Sequence, residues 1–295
     1  MNYRHWPRSR KVVYWLAMAG LVAAAGFILS NEALGTSSAS APPADSSLAG
    51  SGATAASGAA GAAHRPGSTT TTVATAAGPA VAAQPLDAPA VAVPAKTYVA
   101  TLSGDTPGSP SPGAAPTQRV PGSWYGYPSI LPVVASQTGW LEVRLAQRPN
   151  ESTAWIPAAD ATVSVDHFAI VVDLATTHLS VYKHGREIED FPAGIGKSTS
   201  PTPPGTFFVA MTVPPPSPGY GPFVLVTSAH SDAITDWENS GDAIIAIHGP
   251  ITAGADALIG TTGAAVSNGC VRLHDADLAQ LSGIPAGTPV DIVAG

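Results

Sequence analysis

Residues 245–275 read "IAIHGPITAGADALIGTTGAAVSNGCVRLHD", and they hold Cys270, the only cysteine of a 295-residue chain. On the left, "DAIIAIHG" is a short apolar run ending in His248 and Gly249, the pattern of a strand buried on both faces. On the right, "HDADLAQLSG" spaces Leu278 and Leu281 by three, with Asp275 as the expected cap and Gly283 as the expected stop, and predicts one short helix. The Gly- and Ala-rich segment between them is expected to be a surface loop, where extra residues cost little closure entropy.

Outward from this stretch the strand signal continues. "FAIVVDL" and "HLSVYKHG" flank residues 175–177 as a hairpin, "REIEDFPAGIG", "GTFFVAMTV" and "FVLVTS" follow as β segments, and "TPVDIVA" closes the chain. Residues 165–295 therefore predict a mainly β domain. Before it, "SILPVV", "GWLEVRLA" and "TAWIPA" predict three strands of a small β module over residues 119–164, an SH3-like form being one candidate. Residues 36–118 are Ala, Ser, Gly, Thr and Pro with few large apolar side chains. Such a segment cannot offset the entropy of ordering, and the expectation is a disordered tether.

At the N-terminus Arg4, Arg8, Arg10 and Lys11 precede an uncharged, mostly apolar run over residues 12–29. About 18 residues at 1.5 Å each give roughly 27 Å, just enough to cross a bilayer. Residues 1–35 are read as a cytoplasmic flank and signal anchor that exports everything after it. Ala33-Leu34-Gly35 would serve as a cleavage site if the segment is instead removed. Lys and Arg against Asp and Glu number 7 against 16 over residues 119–295, a balance of 7 − 16 = −9. Without a clustered basic face the chain is not expected to bind nucleic acid. Oligomeric state is not legible.

A lone exported cysteine has no internal disulfide partner and is either a free thiol or an intermolecular link. A nucleophilic thiol needs a base and donors for the developing oxyanion. His248 can be the base. The tight turn at Asn268-Gly269 could direct the Gly269 and Cys270 amides at one oxygen, and Arg272, two residues beyond Cys270 on an extended segment, would share its face and could bind a substrate carboxylate.

"HG" followed about twenty residues on by "SNGCVRL" resembles the signature of L,D-transpeptidase catalytic domains of the YkuD type. The segment "GKSTSPTPPGTFFV", residues 196–209, is similar to the turn and strand that this family carries upstream. The resemblance covers residues 165–294. It implies a β-sandwich-like fold and a cell-wall enzyme with Cys270 as nucleophile, His248 as base and a backbone carbonyl near Gly249 orienting the imidazole. Ser267, Asn268, Gly269 and Arg272 would shape the site or bind substrate. The implied reaction moves an acyl group from a peptidoglycan tetrapeptide stem, releasing D-alanine, to a side-chain amine of a neighbouring stem through a thioester. No metal or organic cofactor is implied. Water in place of the amine would make a carboxypeptidase or endopeptidase, and a degenerate site would leave a membrane-tethered wall-binding protein.

Asn268 stands where many members have His, and the gap from His248 to Cys270 is slightly longer than is usual for the family. Among other candidates, His230 in "SAHSDAITDWENS" is expected in an ordinary loop, with a lid as the alternative. His274 is expected to help cap the helix. Trp124, Tyr125 and Tyr127 are expected to pack the small module on the catalytic domain, and "PPPSPGYGP" to form a rigid bulge beside the site.

Overall fold

Strand-forming residues with period-2 burial dominate the chain, and the structure is accordingly mainly β with few helices. The computed structural model describes residues 92–294 apart from 238, 239 and 262, all within one compact unit. The predicted anchor over residues 12–29 and most of the predicted tether lie outside the described residues. Among the described residues no helix is long and apolar enough to cross a membrane.

The N-terminal part comprises β1 (Thr97–Leu102), β2 (Thr106–Gly108), β3 (Gln118–Val120), β4 (Ser123–Trp124), β5 (Tyr127–Pro128), β6 (Ile130–Gln137), β7 (Trp140–Arg144), β8 (Thr153–Pro157) and β9 (Ala161–Asp166). The three strands expected from sequence coincide with β6, β7 and β8. Strands β1 to β3 correct the tether, because residues 97–120 are ordered β structure. β1 enters the five-stranded antiparallel sheet β8-β7-β6-β1-β9 between β6 and β9. The reason is tertiary: Ala100, Leu102 and Val120 are buried only because they join Leu131, Val143 and Ile156 from later strands.

The second part comprises β10 (Phe168–Asp173), β11 (His178–Lys183), β12 (Arg186–Pro192), β13 (Ile195–Gly196), β14 (Gly205–Val213), β15 (Val224–His230), β16 (Ile244–His248), β17 (Ala265–Ser267), β18 (Val271–Arg272) and β19 (Pro289–Val293). Eight of them form one curled sheet in the order β12-β11-β10-β19-β14-β15-β16-β18. The hairpin expected at residues 175–177 joins β10 to β11, with Asp173 opposite His178. Two short helices accompany the sheet, α1 (Ala253–Asp256) and α2 (Asp275–Gln280). α1 lies in the segment expected to be a loop, where Thr252 Oγ1 accepts the Ala255 N–H and caps a single turn. α2 is the predicted helix, but His274 is its N-cap and Asp275 its first residue, and no side chain caps it.

β14 is apolar on both faces. Phe207 and Val209 enter the catalytic core with Ile170, Leu225, Ile247 and Leu273, while Phe208 and Ala210 enter the core of the N-terminal module. A register shift between Val209 and Met211 then turns Met211 and Val213 into a third cluster with Tyr220, Val224, Val226 and Ala246. The strand thus joins module and domain through its own side chains. Phe208→Ala is expected to cost about 3–5 kcal/mol, as for other fully buried phenylalanines, and denaturant unfolding read by far-UV and near-UV signals checks it.

Candidate active site

β16 and β18 run parallel with Ile247 beside Val271 and His248 beside Arg272. Side chains alternate along each strand, so Ile245, Ile247, Val271 and Leu273 go to the catalytic core. Ala246, His248, Cys270 and Arg272 occupy the opposite face. There Cys270 and Ala246 join the Met211–Tyr220–Val226 cluster. The strand pairing thus brings together the three residues singled out by sequence, His248, Cys270 and Arg272.

The imidazole is fixed on two sides. His248 Nδ1 donates to Gly249 O at 2.6 Å, which leaves Nε2 as the proton-accepting nitrogen. The Tyr220 ring lies 4.7 Å from the imidazole centroid at 42°. Tyr220 comes from a 3₁₀ turn, Pro218–Tyr220, inside the expected proline-rich bulge, and its carbonyl accepts the Gly249 N–H at 2.8 Å. Gly249 is needed by close approach: a Cβ there would stand 2.5 Å from Asp275 Oδ1 and 2.7 Å from Gly221 N. Tyr220 and Asp275 were missed as site residues. The glycines bracketing Tyr220 in "PGYG" were the available signal for Tyr220, and nothing in sequence placed Asp275 against Gly249.

The cysteine turn is tied to the upstream element. Gly269 has φ +122°, in the region that favours glycine. Its carbonyl accepts from Thr202 Oγ1 at 2.8 Å, and the same hydroxyl accepts the Gly196 N–H at 2.9 Å. Lys197 N–H donates to Ser267 O, and Ser200 Oγ donates to Asn268 Oδ1 at 3.4 Å. The "GKSTSPTPPGTFFV" segment therefore clamps the backbone that carries Cys270. Ser267 Oγ donates to Cys270 O at 2.6 Å and accepts the Gly269 N–H at 3.1 Å. This corrects one expectation, since the Gly269 amide is held inward by Ser267 and does not point at an oxyanion position.

Burial sets the electrostatics. His248 is 2 % exposed, and desolvation first, then the positive charge of Arg272, push its pKa down to about 3 against the opposing Gly249 hydrogen bond. Burial pushes the Cys270 thiol up, opposed by the Ala246 N–H and by Arg272. The resting pair is therefore neutral imidazole and neutral thiol. Arg272 is itself 4 % exposed and donates from Nη1 to Pro250 O at 3.1 Å. It favours thiolate over imidazolium by its field.

A cavity of about 250 Å³ is lined by Gly219, Pro250, Thr252, Asp256, His274 and Asp275. His274 Nδ1 sits 2.7 Å from Asp256 Oδ1, which ties α1 to the N-terminus of α2. His230 is not in a loop. It ends β15, buried, with Nδ1 2.7 Å from Asp242 Oδ2. Among the described residues no group of three or more His, Cys, Asp or Glu is placed to hold a metal ion.

Residues 167–292 match the family model of the YkuD L,D-transpeptidase catalytic domain. Two curated relatives carry the name L,D-transpeptidase YkuD. That of Bacillus licheniformis is 29 % identical over 126 residues, 42 % of this chain and 65 % of its own. That of Bacillus subtilis strain 168 is 28 % identical over 127 residues, 43 % of this chain and 65 % of its own. Among solved structures, the catalytic domain of an E. faecium L,D-transpeptidase is 25 % identical, over 42 % of this chain and 95 % of that one, with a TM-score of 0.31. A Mycobacterium smegmatis L,D-transpeptidase is 18 % identical, over 55 % and 80 %, with a TM-score of 0.35. Over residues 167–292 the chain is thus similar to the YkuD family of L,D-transpeptidase catalytic domains, and it spans 65 % of the length of the two curated relatives.

Two outcomes follow from this geometry. Because the thiol is held above its ordinary value, the rate of Cys270 alkylation by iodoacetamide is expected to keep rising beyond pH 9, with no thiolate plateau near pH 6. A stopped-flow pH series measures it. Gly249→Ala is expected to lower that rate by at least about tenfold at fixed pH by displacing the carbonyl that holds His248, a sub-ångström misplacement of the kind that is costly at a reacting group.

Proposed function

We propose that this domain is a peptidoglycan L,D-transpeptidase that carries the acyl group on Cys270. The observation that carries the reading is the His248 Nδ1 bond to Gly249 O, which leaves Nε2 as the basic nitrogen on the sheet face that also bears Cys270. The match of residues 167–292 to the YkuD family supports the reaction class.

The steps follow from the neutral resting pair. As Sγ attacks the carbonyl carbon of the bond before the terminal D-alanine of a tetrapeptide stem, the thiol proton passes to Nε2. Collapse of the tetrahedral intermediate breaks the C–N bond, Nε2 returns the proton to the departing amine, and a thioester remains. A side-chain amine of a neighbouring stem then attacks the thioester, gives a proton to Nε2, and expels the sulfur, which takes that proton back. Arg272 stabilises sulfur as negative charge builds on it. Tyr220 and Gly249 hold the imidazole through both halves. The apolar segment over residues 12–29 supports an exported, membrane-held protein acting in the cell envelope, with the intervening residues as its reach.

The test is mass spectrometry of the purified full chain incubated with disaccharide-tetrapeptide. A cross-linked dimer is expected, absent in Cys270→Ala and reduced at least about 100-fold in His248→Ala, the scale of a lost general base. Tripeptide without dimer would make water the acceptor and the protein a carboxypeptidase. Unchanged tetrapeptide would refute the enzyme and leave a wall-binding role.

A further inference from the structure

The N-terminal module reaches the face of the sheet that bears Cys270. In the β4–β5 hairpin Trp124 pairs with Tyr127, and Tyr125 (φ 47°) and Gly126 (φ 81°) form the tight turn. Trp124 packs both on the module core and on the cluster that holds Met211 and Tyr220. Tyr125 and Tyr127 do not join that core. They pack, with Ile251 and Cys270, on the cluster of Met211, Val213, Tyr220, Val224, Val226 and Ala246. Ala246 is also the residue whose N–H supports the Cys270 sulfur. Both tyrosines are half-buried, so each rests on the apolar floor and keeps part of its surface open.

Independent polar contacts hold the module here. Arg148, from the module, donates from Nε to Asp242 Oδ1 at 2.9 Å and from Nη2 to Ser231 O and Ile234 O at 2.8 and 3.1 Å. Asn150 exchanges two hydrogen bonds with the His230 backbone, at 2.8 and 2.9 Å. Burial first, and then the charge of Asp242, raise the Tyr125 phenol. The aromatic tip rests on the floor that carries the cysteine.

We propose that this hairpin forms one wall of the catalytic cleft, with Tyr125 and Tyr127 binding the uncharged, aliphatic part of the donor stem next to the bond that Cys270 attacks. The inference rests on the reaction proposed above. Aromatic rings at the edge of an apolar floor present flat, weakly polar faces, which suit methyl and methylene groups and leave charged ends to other parts of the site. The ligand part is peptide and not sugar because of reach. The acylated carbon bonds to Sγ on this same floor, whereas the sugar lies at the far end of the stem, three residues at roughly 3.3 Å each or about 10 Å when extended.

Calorimetric titration of the full chain carrying Cys270→Ala tests this without turnover, using free tetrapeptide and disaccharide-tetrapeptide as titrants. The two are expected to bind alike. Tyr127→Ala and Tyr125→Ala should each weaken both by about tenfold, the scale of a truncated aromatic anchor, and Tyr127→Phe by no more than about twofold. In chains retaining Cys270, Tyr127→Phe should keep the parent's melting temperature, and each alanine variant should still unfold in one cooperative transition and change its iodoacetamide rate by less than its affinity. Unaltered affinity in both alanine variants overturns the wall, as does a parent that binds neither titrant. So does an affinity loss accompanied by an equal loss of alkylation rate, and so does a loss seen only with the disaccharide form, which would make the hairpin a sugar site. A parent that binds normally while the Cys270 chain forms no product would overturn the reaction and leave the wall standing.

Discussion

The site depends on one register: His248 beside Arg272 in the parallel pair of β16 and β18. A slip of one residue would exchange the faces of β18 and bury Cys270 and Arg272 among Ile245, Ile247 and Leu278. Val271 and Leu273 are fully buried and Gly194 exchanges two backbone hydrogen bonds with Arg272 from the other side, so β18 is pinned at both edges by groups that take no part in the chemistry. The short strand holds its place because the long sheet around it does.

Burial is the second constraint and it works against ionisation. An exposed cysteine and histidine would titrate near their ordinary values. Here the same desolvation that lowers the imidazole raises the thiol, and the pair stays neutral until a substrate arrives. Arg272 acts with desolvation at one partner and against it at the other. A positive charge beside the pair disfavours a resting ion pair through the imidazole while easing formation of the thiolate. In the reaction proposed above, the proton therefore moves during attack and not before it.

The upstream "GKSTSPTPPGTFFV" segment and the cysteine turn are about 70 residues apart and act as one piece. Thr202 bridges Gly196 and Gly269 with a single buried hydroxyl, and Lys197 reaches Ser267 through the backbone. β14, which continues that segment, then joins the catalytic core to the module by alternating its side chains. The cysteine turn, the sheet and the module are thus connected through one continuous stretch, residues 196–213, and the position of the β4–β5 hairpin over the sheet follows from it.

Much of this was legible in the sequence. Runs of apolar and β-branched residues located β6 to β8, β10 to β12, β14 to β16 and β19, and the Leu278 and Leu281 spacing located α2, because each signal is local and falls within a few residues. His248, Cys270 and Arg272 were singled out by residue types that the chemistry requires, and Gly249 by the resemblance to the L,D-transpeptidase signature. What the sequence could not determine depends on distant partners. β1 to β3 read as linker because short strands with Gly and Pro at their ends have no periodicity of their own, and Val120 is apolar in a way that matters only once Leu131 and Ile156 surround it. The Gly269 amide was expected to face substrate, but its direction is decided by Ser267 Oγ across the turn. Thr202 and Asp275 were invisible as site residues and Tyr220 was signalled only by its flanking glycines, since a ring over an imidazole or a hydroxyl under a turn exists only after strands far apart in sequence have been brought side by side. Sequence by itself determined which groups could do chemistry and which stretches could be strands. Tertiary structure alone decided which faces those groups share, because burial and hydrogen bonding are properties of neighbours that the chain order does not contain.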